Sequence, residues 1–345
     1  MRSAADPHKA LALVETVGIF GFVENALDDS KVQLTMLQHG QQVLCVVHDQ
    51  IQPVCVLPFL PGDAVKIAAV LTFGNAIKET APIYPDVLFF ALDVSAADFG
   101  DWEIPANVYS AVYQEELSGY MAGYAAVKLG YKHLGYLGGM AVPAVQRFGY
   151  GYLQGIDAAA KELGIVGDIK VEYVYGNQFY GDADITAVMD TWYGEKGVEV
   201  VFACGGGIFT SAAEAAAKVE GAKVIGVDTD QAAVIDGLYG EGLTVTSALK
   251  GLAPTVKTVL SAIVLEDNWA AYAGKIESLG LVSADPEANY VQLPMESTQW
   301  SDTFTQEDYK ALVAGMFDGT IAVSGDIAEF PVTEVAVEQH PAIKG

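Results

Sequence analysis

Acidic and glycine residues follow several apolar runs of the sequence, and they are the candidates for binding chemistry. Asp93 follows the run Val87–Leu92, Asp228 follows Val224–Val227, and three consecutive glycines occupy positions 205–207. A carboxylate is a good acceptor for hydroxyl groups because charge-assisted hydrogen bonds are stronger than neutral ones. A glycine turn lets the backbone approach an uncharged ligand, since no Cβ intervenes. These residue types indicate hydrogen bonding to a polar molecule.

The glycine run at 205–207 does not have the pattern of a nucleotide-phosphate motif. A phosphate loop would continue with Lys and then Ser or Thr, and the spacing also differs from the dinucleotide fingerprint. Two interpretations remain open. The glycines form either a tight strand-to-helix turn without a ligand or a close approach to an uncharged one.

Motifs for catalysis or metal binding are missing from the sequence pattern. There is no Gly-x-Ser-x-Gly elbow, no His-Glu-x-x-His motif and no credible Cys/His pair. The cysteines and histidines are scattered without zinc-ligand spacing, and an odd number of cysteines disfavours a complete disulfide framework. These residues are Cys45, Cys55, Cys204, His8, His39, His48, His133 and His340. We expect neither an enzyme nor a metal or cofactor site.

Length and charge narrow the class of protein further. The 345 residues are enough for two domains of about 150 residues each. The chain has 18 basic and 44 acidic residues, giving a net charge of −26. Such a surface repels polyanions, and no basic stripe offsets it, so nucleic-acid binding is excluded. The same acidity favours a soluble monomer.

The elements that must position these residues are strands alternating with helices. Strands are predicted at 87–92, 133–137, 171–175, 198–203, 224–227 and 243–247, and helices include 117–129 and 145–163. The alternation predicts an α/β protein with parallel sheets and helices on both faces. Ligands of such sheets bind beyond the carboxyl ends of the strands. Asp93, the segment Gly138–Arg147, the glycine run and Asp228 should therefore converge on one crevice.

Several segments in this order resemble one protein family. They are LGYLGGMAVPAVQRFGYGYLQG at 134–155, IGVDTDQ at 225–231, TSALK at 246–250, ELSGYMAG at 116–123, and FGNAI at 73–77 with ALD at 91–93. Together they resemble the basic membrane protein family, the PnrA-like purine nucleoside receptors. The likeness covers about residues 70–340.

The resemblance implies a type I periplasmic-binding-protein fold with two doubly wound lobes joined by a crossing hinge. One lobe is expected over 1–118 plus about 247–275, the other over 119–246 plus about 276–345, with the ligand in a crevice between them. The implied function is to bind purine nucleosides for an ABC importer, with permease subunits as partners. An extracytoplasmic place is implied, as a lipoprotein or periplasmic protein. Neither a leader nor a lipid-anchor cysteine is visible at Met1–Ala10.

Ligand contacts are expected from seven residues. The resemblance places Asp228 on the ribose, with Lys250 beside it after a strand that ends near Ser247. Asp93 is a candidate for the base edge or a ribose hydroxyl. The remaining four are Gly206 in the glycine turn, Phe209 as a stacking ring, and Arg147 and Phe148 at the start of a helix. Four of them have ordinary alternatives: a helix cap or surface ion pair for Asp228, a solvated side chain for Lys250, a cap for Asp93 and a packing residue for Phe209. Packing is the favoured interpretation of Phe179 and Tyr180.

The resemblance weakens between residues 19 and 69. The expected acidic Ser-Phe-Asn segment and its long helix are replaced by runs such as Val43–Val47. A diverged lobe or a compensated frame shift would each explain the change. Other functions stay open: a binding protein of the same fold for a sugar or signalling molecule, and a regulator's ligand domain, although no helix-turn-helix pattern precedes residue 70.

Overall fold

A computed structural model describes the backbone of residues 43–47, 66–71 and 74–345, and the side chains of residues 74–345. Two units can be distinguished. The first takes in the described residues up to Val112 and the segment Leu252–Ser278, and the second comprises Tyr113–Gly251 and Leu279–Gly345. The lobe boundaries expected from the sequence stay a prediction. The expectation for residues 19–69 falls outside the described residues, apart from the backbone of two strands.

The first unit contains a five-stranded sheet with the order β1-β2-β3-β4-β10. Strands β1 to β4 run parallel to their neighbours. The strand β3 is an uninterrupted apolar run, and its last four residues are buried. The strands are β1 Val43–Val47, β2 Lys66–Leu71, β3 Val87–Leu92, β4 Val108–Tyr113 and β10 Lys275–Leu279. The helices are α1 Gly74–Thr80, α2 Ala96–Phe99 and α8 Leu252–Val264.

The second unit contains a seven-stranded sheet with the order β11-β9-β8-β7-β5-β6-β12. All neighbours are parallel except β11, which pairs antiparallel with β9. The strands are β5 His133–Gly138, β6 Lys170–Tyr175, β7 Val200–Cys204, β8 Lys223–Asp228, β9 Thr244–Lys250, β11 Val291–Gln292 and β12 Ala336–Gln339. The central strand β7 is buried throughout, as its sequence VVFAC predicts.

Local sequence explains where the helices of this unit begin and end. Pro143 opens the longest helix, where a missing N–H costs nothing, and Gly164 ends it with a left-handed φ of 68°. Asp182 accepts hydrogen bonds from two backbone N–H groups at the start of another helix. The helices are α3 Glu115–Lys128, α4 Pro143–Leu163, α5 Ala183–Thr191, α6 Phe209–Ala216, α7 Ala232–Tyr239 and α9 Gln306–Phe317. A π-helical turn, Trp192–Lys196, extends α5.

Helices α3 and α4 pack with their backbones in contact. A Cβ added to any of four glycines would overlap a carbonyl oxygen of the opposite helix; these are Gly119, Gly123, Gly151 and Gly155. The close approach fixes the register between the two helices. It thereby sets the position of the second turn of α4, which carries Arg147 and Phe148, two of the expected site residues.

No helix among the described residues is both long enough and apolar enough to cross a lipid bilayer.

Candidate functional site

Three glycine-containing turns meet at the carboxyl ends of the central strands of the second unit. Gly139, which follows β5, donates its N–H to the carbonyl of Cys204 at the end of β7, over 2.8 Å. The Cα of Gly139 would contact a Cβ placed on Gly205. Gly207 donates to the carbonyl of Phe179, over 2.9 Å. The glycines therefore allow three turns to pack where a larger residue would separate them.

Gly206 lies in this group with a left-handed φ of 53°. Its carbonyl oxygen accepts a hydrogen bond from the side chain of Gln231, over 3.2 Å. The glycine run therefore forms a turn between β7 and α6, which is common to both interpretations. Its position at the carboxyl end of β7 keeps the close approach to a ligand open as a proposal.

Asp228 is the last residue of β8, and its backbone turns there with a φ of 66°. Its carboxylate Oδ1 lies 3.1 Å from the ammonium of Lys250. The lysine side chain is 6% exposed and that of the aspartate 27%. Because the lysine is buried, Asp228 is held from behind while part of its carboxylate faces solvent. Such a carboxylate can accept hydrogen bonds from hydroxyl groups.

Lys250 is the last residue of β9, and not a residue beyond the strand as the sequence predicts. The strand continues past Ser247 because Leu249 and Lys250 pair with β11. The ammonium of Lys250 also lies over the ring of Phe148, 5.8 Å from its centroid. A cation–π contact stabilises a buried ammonium that has left bulk water. Phe148 itself is buried in the core, so it supports the lysine from the protein side.

Gln231 is a site residue whose role sequence reasoning missed. Its side-chain Oε1 accepts a hydrogen bond from the backbone N–H of Val227, over 2.9 Å. The backbone N–H of Gln231 donates to Ser247 Oγ, over 3.1 Å. With its bond to Gly206, the glutamine joins the ends of β7, β8 and β9. The absence of a side chain at Gly226 makes room for it. Only its place at the end of the segment 225–231 could have pointed to it.

Arg147 is engaged with two buried carboxylates at the start of α3. Its Nε lies 2.6 Å from Glu115 Oε2 and 3.9 Å from Glu116 Oε2. Burial raises the pKa of Glu116, and this outweighs a backbone hydrogen bond and the charge of Arg147, which act in the opposite direction. Arg147 therefore compensates buried negative charge at the junction of α3 and α4.

The aromatic candidates differ in how much of each ring is accessible. Phe209 is buried among Ile185, Ile208 and neighbouring residues, so little of its ring reaches solvent. Phe179 packs over Gly139, where a Cβ would meet its ring. Tyr180 is 55% exposed beside the glycine turn, although the sequence favoured it as a packing residue. Tyr180 is therefore the accessible ring of the three.

Cys204, at the end of β7, is a packing residue. Burial raises the pKa of its thiol; a hydrogen bond involving Tyr136 lowers it only in part, and the charge of Asp228 raises it further. The thiol stays protonated, and a protonated buried thiol is a poor nucleophile.

Asp93 lies in the first unit, directly after β3. It has a left-handed φ of 60°, and its N–H donates to the carbonyl of Ala111 over 2.8 Å. Aspartate tolerates this conformation better than most residues. Its backbone repeats that of Asp228 at the end of a parallel strand.

Comparison with known proteins identifies the family. The family described as "ABC transporter substrate-binding protein PnrA-like" matches residues 68–284, well over half of the chain. The chain belongs to this family. The resemblance seen in the sequence is confirmed, and the family is one of binding proteins, in agreement with the expectation that the chain is not an enzyme.

Two curated relatives share part of their length with this chain. "Basic membrane protein B" of Borreliella afzelii (strain PKo) is 30% identical over 200 residues, which cover 57% of this chain and 54% of the relative. "ABC transporter nucleoside-binding protein BmpA" of Lactococcus lactis subsp. cremoris is 34% identical over 133 residues, 36% of each chain. The matched region thus spans about half or less of the length of these relatives.

Solved structures with the same fold confirm the α/β class and the type I periplasmic-binding-protein architecture. An ABC transporter solute-binding protein from Aeropyrum pernix K1 has a TM-score of 0.53 at 20% identity, covering 74% of this chain and 71% of the other. A solute-binding protein from Conexibacter woesei has a TM-score of 0.54 at 20% identity, covering 75% of this chain and 79% of the other. A transcriptional activator of the comK gene from Bacillus halodurans has 0.54 at 17% identity, covering 74% and 78%.

Proposed function

We propose that this chain is the solute-binding component of an ABC importer and that it binds purine nucleosides. The observation that carries the ligand assignment is the Asp228–Lys250 pair, in which a buried ammonium holds a partly exposed carboxylate. A nucleoside is uncharged and has vicinal ribose hydroxyls, for which a fixed carboxylate is a good acceptor. The nucleoside-binding name of the Lactococcus lactis relative supports the same ligand class.

The other residues have subordinate roles in this proposal. Gly206 and its neighbours let the backbone approach the ligand, and Tyr180 offers an aromatic face for the base, a role in which it replaces the buried Phe209. Phe148 and Arg147 act from the protein side, on Lys250 and on the buried carboxylates. Asp93 is proposed as a second acceptor, and an Asp93→Ala variant tests that contribution separately.

Partners and location follow from the same function. A component of an importer acts outside the cytoplasmic membrane, and permease subunits are its proposed partners. Lipid attachment, which the resemblance also implies, is part of this proposal.

Calorimetric titration with guanosine, inosine, adenosine, uridine, ribose and galactose tests the ligand assignment. We expect a purine nucleoside to bind with a stoichiometry of one and more tightly than ribose, because the base adds stacking and hydrogen bonds. If no nucleoside binds and a sugar does, the ligand assignment is wrong and the fold assignment is unaffected. That outcome would favour the alternative of a sugar-binding protein of the same fold.

A further inference from the structure

A second group of polar side chains lies at the start of β5, within β6 and around the end of β12. Strand register pairs Lys170 of β6 with His133 of β5, and Glu172 of β6 with Glu338 of β12. Residues two apart on a strand point to the same face, so His340, two residues beyond Glu338, faces the same side. Three strands thus place two histidines and two glutamates on one face of the sheet.

Glu172 is the centre of this group. Its side chain is only 6% exposed, and its Oε1 lies 3.3 Å from His133 Nε2. Its Oε2 contacts His340 Nε2 and lies 2.7 Å from the ammonium of Lys196. Glu338, whose side chain is 64% exposed, has Oε1 3.9 Å from His340 Nε2 and Oε2 3.6 Å from Lys196. One buried carboxylate is therefore surrounded by imidazole, ammonium and a second carboxylate.

The π-helical turn after α5 supplies the surroundings of the group. It carries Lys196 and also Trp192, whose ring centroid is 5.7 Å from that of His340. Trp192 packs over Gly135, where a Cβ would meet its ring. Single π-helical turns are rare and occur frequently at functional sites. Here the turn aims an aromatic ring at one histidine and a cation at the carboxylates.

The donor atoms are suited in type and position to a transition metal. Among residues 74–345, Glu172, Glu338 and His340 have ligand atoms that all lie within 4.8 Å of one another. Neighbouring ligands of a tetrahedral zinc ion are about 3.3–3.5 Å apart, given bonds of about 2.0–2.2 Å. Because the side chain of Glu338 is exposed, it can rotate to shorten the distances between ligand atoms from the observed limit of 4.8 Å to this range. Imidazole nitrogen combined with carboxylate oxygen favours Zn²⁺ over Ca²⁺ or Mg²⁺, which prefer oxygen ligands alone.

We propose that Glu172, Glu338 and His340 form a Zn²⁺ site completed by water, that His133 orients Glu172, and that Lys196 competes with the metal. His133 acts on the carboxylate oxygen opposite the one facing the metal, which is the usual arrangement of an outer-shell partner. Lys196 is 31% exposed, so its ammonium can turn to solvent when another cation arrives.

The test is calorimetric titration of the tag-free full chain with Zn²⁺, repeated in excess Ca²⁺. The excess Ca²⁺ occupies weak carboxylate sites on the acidic surface, so that only specific zinc binding is measured. We expect one zinc ion to bind per chain under these conditions. Replacement of a ligand, as in His340→Gln or Glu338→Gln, should weaken zinc binding at least tenfold. The outer-shell change His133→Gln should weaken it about tenfold. A variant with His8, His39 and His48 changed to Gln should bind zinc as the wild type does.

Lys196→Met distinguishes the metal site from a purely structural ion-pair cluster. Removal of a competing cation should strengthen zinc binding. A tenfold gain in affinity would mean that displacement of the ammonium costs about 1.4 kcal/mol in the wild type. Lys218→Met is the matched control, since Lys218 pairs with Asp190 on an exposed surface of the same unit, and it should leave zinc binding unchanged. A structural cluster predicts the opposite, with Lys196→Met weakening the fold and zinc affinity unaffected or reduced.

Two further readouts keep the proposal falsifiable. Saturation with zinc should raise the melting temperature, because the metal ties β12 to β6 and binds only the folded chain. Cobalt should bind in place of zinc and give the visible absorption of a tetrahedral site.

Glu338→Gln changes an exposed side chain, so it serves as the decisive variant if a His340 variant does not fold. Unchanged zinc affinity in folded Glu338→Gln, or a Lys196→Met variant that binds zinc no better, would overturn the site. None of these measurements uses a nucleoside, so they stand apart from the proposed function.

Discussion

Two carboxylate–lysine pairs on the seven-stranded sheet have opposite patterns of burial. In the Asp228–Lys250 pair the lysine is buried and the carboxylate is partly exposed. In the Glu172–Lys196 pair the carboxylate is buried and the lysine is partly exposed. The first pair lies at the carboxyl ends of its strands. In the second pair Glu172 lies within β6 and Lys196 in the π-helical turn that follows α5.

The difference indicates which kind of molecule each pair can receive. The partner that faces solvent is the one that an incoming group contacts or displaces. An exposed carboxylate backed by a fixed ammonium accepts hydroxyl hydrogens. A buried carboxylate beside a partly exposed ammonium can exchange that cation for another. The same two residue types can therefore serve a neutral ligand at one place and a metal ion at the other.

Stability is the sharpest test of this comparison. Asp228→Asn removes one carboxylate from beside the buried ammonium of Lys250, and this should lower the free energy of unfolding by about 1.5–3 kcal/mol, the usual cost of losing a hydrogen bond to a charged group. Lys250→Met leaves Asp228 in contact with water and should cost about 1 kcal/mol or less, since methionine fills the same space. Urea unfolding at pH 7 without ligand measures both, with the exposed Glu220→Gln as control. Equal costs for the two variants would contradict the inferred asymmetry.

Ligand binding gives the next largest effect. Asp228→Ala removes a charge-assisted acceptor and should weaken purine nucleoside binding by about 1.5–3 kcal/mol, roughly ten- to a hundredfold. Lys250→Met should weaken binding too, because Asp228 loses the ammonium that holds it. Calorimetry on variants shown by circular dichroism to be folded provides the measurement. Undiminished guanosine or inosine binding by Asp228→Ala would remove Asp228 from the site.

A change in the ligand should have a smaller effect than a change in the protein. A 2′-deoxynucleoside lacks one of the hydroxyls that Asp228 is proposed to accept, so it should bind about three- to tenfold more weakly than the ribonucleoside. Competition between the two compounds measures the ratio directly. In the Asp228→Ala background the ratio should fall towards one, and a ratio that persists there would assign the hydroxyl to another residue.

The smallest expected effect is the pH dependence of the Glu172 pair. Because the folded-state pKa of Glu172 is lowered, its contribution to stability is complete above the unfolded value of about 4.3 and is lost as pH falls through the folded pKa. The difference in urea midpoint between wild type and Glu172→Gln should therefore shrink as pH falls from about 5 to below about 4, a range in which the neighbouring histidines keep their charge. A difference that grows over this range would reverse the sign of this linkage.

The strands were the most predictable part of the fold. Val87–Leu92 is observed with its predicted bounds, because Pro85 and Asp93 bracket an apolar run that is buried. Helix α4 begins two residues before its prediction, since proline is tolerated in a first turn. Strand β9 was predicted too short, because its last residues are stabilised by pairing with β11, which comes more than forty positions later.

The site was predictable only where a residue's position relative to its strand was sufficient. Asp228 and Lys250 were expected to pair, and they do, because adjacent parallel strands end side by side. Phe209 was expected to expose its ring, but helix α6 begins at that residue and buries it. The group around Glu172 could not be seen in the sequence. Its members come from three strands, and only the register of β12 brings Glu338 and His340 to Glu172.

The glycines at the contact between α3 and α4 restrict which base changes the gene can accept. Any glycine codon becomes an alanine codon by a single base change, and on most helices that exchange is harmless or favourable. At Gly119, Gly123, Gly151 and Gly155 the added methyl would push two helix backbones apart. These four codons therefore cannot drift towards the residue that helix propensity favours. Other positions of both helices can be substituted, but these four must stay glycine if the helix backbones are to remain in contact.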